Sequence, residues 1–360
     1  MSKEYTSLGL MSGTSMDGVD VSIIQSDGES KSKVMLDEYF EYSQDIYKDL
    51  TTLRKKINNS RDLKKYLNEL NELEKEITLF HAEAVNQIFK KIKFKVDIIG
   101  FHGQTIFHNS LEKISKQLGD GKLLSQLTKK NVVYNFRKND LNSGGEGAPL
   151  TPIYHQVLEK KFNIKPVNFI NIGGILNRTT LWSDGELSAK DEGPGMCLID
   201  EWVRLNSNKR YDKNGDIARS GKVNKIILNQ YIDNFYSTNV EKKSYDTNDF
   251  DISFVRGLSL EDGAATLTHI TSHIINSIFL ANKDKMILCG GGRKNKFLVQ
   301  LIKEVNKDIK AVDDYGINGD FVESQAFAYL AIRSYLKLPI SFPQTTGCLN
   351  PSTGGEIIKL

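Results

Sequence analysis

Two short apolar runs, residues 8–11 and 19–24, flank the hydroxyl-rich turn Ser12-Gly13-Thr14-Ser15-Met16-Asp17-Gly18. Strand signals on both sides of a Gly/Ser/Asp cluster predict a β-hairpin with a broad loop. Residues 33–42 alternate enough for a third strand, so the chain starts as a meander. Helical patterns follow at about 43–58 and 63–93. The second carries Leu67, Leu70, Leu73, Ile77, Phe80, Ala84 and Ile88 on one stripe, as a helix covering a core does. Residues 96–100 read as a short buried strand that delivers Phe101-His102-Gly103-Gln104-Thr105 at its end. A Gly/Asp turn at 117–121, a helix and a strand at 131–136 come next. The polar, Gly-rich loop 137–150 then separates this half from the rest.

The pattern returns at residue 167. Strands are predicted at 167–172, 178–182 and 185–189, with Gly173 and Gly174 in the first turn, and residues 191–206 read as turn, then helix. A long helix is expected at 261–281. A strand at 285–288 opens into Gly290-Gly291-Gly292 and another helix, and the last helix covers 320–335. Two halves of β-β-β-α-β-α order argue an internal duplication. A meander joined through a crossover helix to a further strand is the mixed-sheet unit of the ribonuclease-H-like, actin-like ATPase fold. The expectation is therefore an α/β protein whose two such domains face a central cleft. Residues 1–135 would form an N-terminal lobe with the phosphate loop. Residues 136–360 would form a C-terminal lobe, its last helix a candidate to pack back on the first. Nucleotide phosphates then sit between the two hairpin turns, with Gly290, Gly291 and Gly292 under the adenosine.

Composition narrows the class. A chain of 360 residues suggests about two domains. Its net charge of +3, from 48 basic and 45 acidic residues, leaves no nucleic-acid footprint. Three widely spaced cysteines without a C-x-x-C argue against a disulfide framework or zinc site. No signal-peptide pattern is visible, and no apolar run approaches the ~20 residues of a membrane span. A cytoplasmic protein without membrane partners is the expectation. His269 and His273 stand four apart on a helix without the Glu of a zincin, and read as helix-surface histidines.

The opening turn carries the strongest chemical signal. Gly13 and Gly18 permit close backbone approach, and successive N–H groups with Ser12, Thr14 and Ser15 hydroxyls can cradle phosphate oxygens. Asp17 and Asp20 are oxygen ligands suited to Mg²⁺. An ordinary polar hairpin turn is the competing reading. No Gly-Lys-Ser/Thr follows, so this is not a Walker loop. His102, Gln104 and Thr105, beyond a strand C-terminus, are candidate ligand contacts or a polar turn. Arg137 suits a carboxylate or phosphate, in a loop that could equally be a linker.

Met11-Ser12-Gly13-Thr14-Ser15-Met16-Asp17-Gly18-Val19-Asp20 resembles the phosphate-loop signature of the anhydro-N-acetylmuramic acid kinases. The resemblance runs to the C-terminus. It includes Gly100-Phe101-His102-Gly103-Gln104-Thr105, Phe136-Arg137, Gly147-Ala148-Pro149-Leu150, Asn171-Ile172-Gly173-Gly174-Ile175, Gly193-Pro194-Gly195, Gly290-Gly291-Gly292 and Thr346-Gly347. It implies a kinase that uses ATP, Mg²⁺ and water to open the 1,6-anhydro ring of anhydro-N-acetylmuramic acid. Oxygen 6 is phosphorylated in the process, during recycling of cell-wall peptidoglycan, and the enzyme would be a homodimer. The same fold acting on another amino sugar is the alternative.

The resemblance also assigns roles. Gly13 to Asp20, Met16 and Val19 included, would hold nucleotide phosphate, Asp17 and Asp20 the metal, and His102, Gln104, Thr105, Arg137 and Glu323 the sugar. Asp191 matches the base that activates water; from the residues alone, a helix N-cap is an equal reading. Glu323 could equally be a first-turn glutamate favoured by the helix dipole. Three positions depart from the family's usual residues: Glu192 for Thr, Met196 for Asn and Glu146 for Gln.

Overall fold

Alternating apolar residues build the first sheet. In the computed structural model, which describes residues 3–238 and 244–360, β1 (Tyr5–Ser12) and β2 (Gly18–Ser26) pair antiparallel, and β3 (Ser32–Glu41) extends the meander. Leu8, Leu10, Val19, Val21 and Ile23 enter one core with the apolar stripes of α1 (Gln44–Lys56) and, beyond α2 (Ser60–Lys65), α3 (Leu67–Lys91). The single helix expected over 63–93 is broken at Tyr66, which ends one helix and begins the next.

β4 (Ile98–Asn109) lies parallel to β1 and corrects a second expectation. Residues 101–105 are not a turn but the middle of one long strand. Gly103, at φ +75°, and register shifts on both flanks let that strand bend without ending. β5 (Ile114–Leu118) folds back on β4. α4 (Gly121–Thr128) then leads to β6 (Asn131–Tyr134), parallel to β4, and α5 (Lys138–Asn142) and α6 (Pro152–Phe162) follow.

The second sheet repeats the plan. β7 (Val167–Ile172), β8 (Ile175–Leu181) and β9 (Leu187–Pro194) form an antiparallel meander. α7 (Cys197–Asn206), α8 (Asp216–Ser220), α9 (Lys225–Thr238) and α10 (Leu260–Asn282) precede β10 (Lys285–Cys289), which is parallel to β7. α11 (Lys296–Val305) leads to β11 (Lys310–Ala311), parallel to β10. The strand order β9-β8-β7-β10-β11 matches β3-β2-β1-β4-β6 strand for strand in direction and position. This is the ribonuclease-H-like unit, present twice, as the duplicated pattern led one to expect. Leu198, Ile199 and Trp202 of α7, with Leu267, Ile270 and Ile274 of α10, cover β7 residues Ile170 and Ile172.

The chain divides into two compact units. Unit 1 runs to Lys161 and resumes at Phe321–Leu360; unit 2 is Phe162–Asp320. The boundary expected at 135/136 thus falls inside unit 1. The returning segment comprises α12 (Val322–Tyr335), α13 (Pro343–Thr346) and β12 (Glu356–Ile358), which pairs with β6. Buried aromatics hold residues 136–161 to it. The Phe136 and Phe327 ring centroids are 5.3 Å apart, and the Tyr154 hydroxyl donates to Gln325 Oε1 at 3.1 Å.

α12 lies directly on the strands of unit 1 because two glycines admit it. A Cβ on Gly9 would stand 2.0 Å from the Ser324 carbonyl oxygen, and one on Gly100 would stand 2.3 Å from that of Phe327. Both obstacles are backbone, so the helix itself would have to move. Gly9→Ala is expected to destabilise the protein by about 1–3 kcal/mol, as overpacking does. Gly257→Ala, whose Cβ meets nothing within 4 Å, serves as control and should stay within about 0.5 kcal/mol. Urea unfolding followed by circular dichroism measures both, and equal midpoints would contradict the packing argument.

Candidate active site

The phosphate-type loop of unit 1 is the turn between β1 and β2. Met16 takes a left-handed conformation at φ +57° and buries its side chain in the core, closing the turn with a 3.2 Å bond from its N–H to the Gly13 carbonyl. Val19 is fully buried as well, so both residues have only backbone to offer a nucleotide. Thr14 and Ser15 are exposed, and Gly13 is half-buried with nothing closer to its Cβ position than 3.9 Å. The Asp17 carbonyl accepts the Tyr42 N–H and the Tyr39 hydroxyl, while its carboxylate accepts the Ser15 hydroxyl at 2.5 Å. Asp20, half-buried, stands opposite Met11 and Tyr39.

Beneath the loop lies a network that pattern reading missed. The Ser12 hydroxyl is 2.8 Å from the Tyr42 hydroxyl and 3.3 Å from His81 Nε2, and His81 Nδ1 bonds the Ile77 carbonyl at 2.7 Å. Gln104 Nε2 donates to the Gly13 carbonyl at 2.9 Å. Gln104 thus braces the loop. The signal for His81 was present in the sequence: a lone imidazole one turn after Ile77, inside an apolar stripe, needs a polar partner when buried.

His102 and Arg137 come together. Arg137 Nη2 approaches His102 Nε2 at 3.1 Å, and Nη1 donates to the Gly147 carbonyl at 2.8 Å. A guanidinium has only donors, so His102 Nε2 accepts, and its proton sits on Nδ1, which bonds the Gly103 carbonyl at 2.8 Å. Burial, with the Arg137 charge beside it, pushes His102 down to about 3. It is a neutral imidazole that fixes the guanidinium. Asp140 shapes the loop past Arg137 by accepting the Gly147 N–H at 2.7 Å and the Thr346 hydroxyl at 2.6 Å. Thr105 accepts from Gln117 at 3.3 Å, and Glu323 is half-buried in the first turn of α12.

In unit 2, Asp191 lies within β9, and the turn-then-helix expectation for residue 191 onward is corrected. α7 begins at Cys197 behind Met196, so Asp191 is not its N-cap. The carboxylate is buried, and its Oδ2 accepts the Tyr245 N–H at 2.8 Å. Gly193, at φ +140°, bends the strand just beyond it, where a Cβ would stand 2.7 Å from the Phe235 ring. The Gly173 carbonyl accepts the Met196 N–H, and that of Gly174 accepts those of Gly195 and Cys197, so this hairpin turn caps α7.

The three glycines after β10 divide their tasks. Gly290 and Gly292 carry no side chain because the end of β7 is against them: their Cβ atoms would stand 2.2 Å from Asn171 Oδ1 and 2.3 Å from Ile172 Cγ2. Gly291 alone of the three has open space. Arg293 fixes the turn with a two-pronged bond to Asp313 (2.6 and 2.9 Å), a 2.6 Å bond to Asp320 and one to the Gly290 carbonyl.

Among the described residues no group of three or more His, Cys, Asp or Glu could hold a metal, and no helix is long and apolar enough to cross a membrane. Mg²⁺ usually takes one or two carboxylates, with phosphate oxygens and water completing its shell. Asp17 and Asp20 fit that smaller demand through hard oxygen donors.

The buried imidazoles make stability depend on pH. His81 is pushed down to about 4 and His102 and His155 to about 3, chiefly by burial. Below pH ~6.5 the unfolded chain takes up protons that the folded chain refuses, so stability is lost as pH falls from there. His102→Gln should reduce the slope of unfolding free energy near pH 5 by about 1.4 kcal/mol per pH unit, one proton's worth. Urea unfolding at pH 7, 6 and 5 checks this; identical slopes would contradict it.

The sequence profile of the family described as anhydro-N-acetylmuramic acid kinase matches residues 5–359. An anhydro-N-acetylmuramic acid kinase of Pelagibacter ubique is 55% identical over 373 aligned positions covering all of both chains. Those of Agrobacterium fabrum and Rhizobium etli are 38% and 40% identical, covering 100% and 98% of each chain. With a match that spans both duplicated units, this chain belongs to the anhydro-N-acetylmuramic acid kinase family.

Proposed function

We propose that this protein is an ATP-dependent kinase that opens the 1,6-anhydro ring of anhydro-N-acetylmuramic acid and phosphorylates oxygen 6. The products are N-acetylmuramic acid 6-phosphate and ADP, in the recycling of cell-wall peptidoglycan. The observation that carries this reading, beside family membership, is the buried Asp191 carboxylate. It sits inside a strand, with one oxygen held by a backbone N–H. That bond fixes the direction of the carboxylate.

Asp191 takes a proton from water as the water oxygen bonds to the anomeric carbon. The bond from that carbon to oxygen 6 breaks, and oxygen 6 receives the γ-phosphoryl group as ADP leaves. A positioned base contributes roughly 10²–10⁴-fold; alignment of water, sugar and phosphate supplies most of the rest. The exposed Thr14 and Ser15 with Gly13 receive phosphate oxygens, and Asp17 and Asp20 would hold Mg²⁺, which neutralises phosphate charge when bound. Gly173, Gly174 and Gly291 are assigned to the nucleotide. Arg137, held by neutral His102, suits the lactyl carboxylate of the sugar, and Glu323 and Thr105 are assigned to its polar groups. The enzyme is assigned to the cytoplasm, where its co-substrate ATP is.

Purified protein with ATP, Mg²⁺ and anhydro-N-acetylmuramic acid is expected to release ADP in a coupled assay. Asp191→Asn should lower kcat by roughly 10²–10⁴-fold with little change in KM for ATP. Absence of sugar-dependent ADP release would overturn the assignment, and an active Asp191→Asn would overturn the base.

A further inference from the structure

A carboxylate base works in its ionised form, and two neighbouring carboxylates raise one another's pKa. This chain places Asp191 and Glu192 side by side but gives them different partners. Leu176 stands opposite Gly193 and Asn177 opposite Asp191, so Glu192 is the extra residue of a β-bulge. Its Oε1 lies 2.6 Å from Arg178 Nε, off the hydrogen-bond axis, and its Oε2 lies 3.2 Å from Lys190 Nζ. Arg178 and Lys190 are themselves opposite one another across β8 and β9. The Glu192 and Arg178 side chains are 11% and 19% exposed, so their attraction is screened less than that of a surface pair. Asp191 instead accepts the Tyr245 N–H.

We infer that Arg178, with Lys190 in support, is a positioning residue for the reaction. It draws Glu192 aside and cancels its charge, so that Asp191 remains an ionised base. The inference rests on the reading of Asp191 as base. Among the described residues, Tyr245 and the exposed Asp249 also stand by the pair. Tyr245 is pushed up to about 12 by burial, then by Asp191, Asp249 and Glu192, and stays neutral throughout an assay range. With Arg178 removed, Glu192 would be a like charge beside Asp191, faced among the described residues by the solvent-exposed Lys190.

The test is the pH dependence of kcat/KM for the anhydro sugar at saturating ATP. It compares wild type, Arg178→Met, Lys190→Met, Glu192→Gln and the Arg178→Met/Glu192→Gln double variant, with melting curves confirming folding. Arg178→Met should move the acid limb up by about one pH unit, and Lys190→Met should move it in the same direction by less. In the Glu192→Gln background, Arg178→Met should leave the limb where Glu192→Gln alone puts it. An acid limb unmoved in both single cation variants overturns the inference, whatever the loss of rate. So does an equal shift in the Glu192→Gln background. If Arg178→Met does not fold, the exposed Lys190→Met decides by the same criterion. Asp191→Asn separates the two readings: if it is active, both fall, whereas an inactive Asp191→Asn with an unmoved limb removes only the role of Arg178.

Discussion

Close backbone approach is the constraint on which unit 1 depends. α12 lies on β1 and β4 where Gly9 and Gly100 leave no side chain in its path, with carbonyls about 2 Å from where Cβ atoms would be. These two strands also carry residues of the proposed site. β1 ends in the loop at Gly13, and β4 carries His102 and Gln104. The sheet is therefore fixed on one face by the α1 and α3 core and on the other by a helix from the end of the chain. Its loop and its polar residues start from a rigid base, as a preorganised site requires. Unit 2 uses the same device in smaller form, with Gly290 and Gly292 against the end of β7.

Charge is handled differently in the two units. In unit 1 the buried groups near Arg137 are kept neutral or hydrogen-bonded. His102 is unprotonated, and Asp140 is satisfied by Gly147 and Thr346. A cation held by a neutral acceptor keeps its full charge. In unit 2 Glu192 is matched with Arg178 and Lys190, and Asp313 and Asp320 with Arg293. Arg293 holds Asp313 below the usual carboxylate range. Asp191 accepts a backbone N–H, that of Tyr245, on one oxygen.

Much of this was legible in the sequence. The strands β1, β2, β7 and β10 follow from apolar runs, the helices α1 and α10 from their helical patterns, and the duplication from the repeated order of elements. The failures share a cause. Phe101-His102-Gly103-Gln104-Thr105 and Lys190-Asp191-Glu192-Gly193-Pro194 are polar and contain glycine, which locally is the composition of a turn. Both are strands, because bulges absorb the irregular residues and because His102, Gln104 and Asp191 find buried partners that no local pattern reveals. The unit boundary was missed for a related reason. What joins residues 136–161 to unit 1 is contact with α12, about two hundred residues later, and separation in sequence hides it.

The central claim is that one water splits the anhydro ring while oxygen 6 accepts the phosphoryl group. Running the reaction in ¹⁸O-enriched water and locating the label by mass spectrometry tests it most directly. One ¹⁸O at the anomeric carbon of the sugar phosphate, beyond spontaneous exchange, with none in the phosphoryl group, is the predicted result. Label in the phosphoryl group, or an unlabelled anomeric carbon, would contradict it.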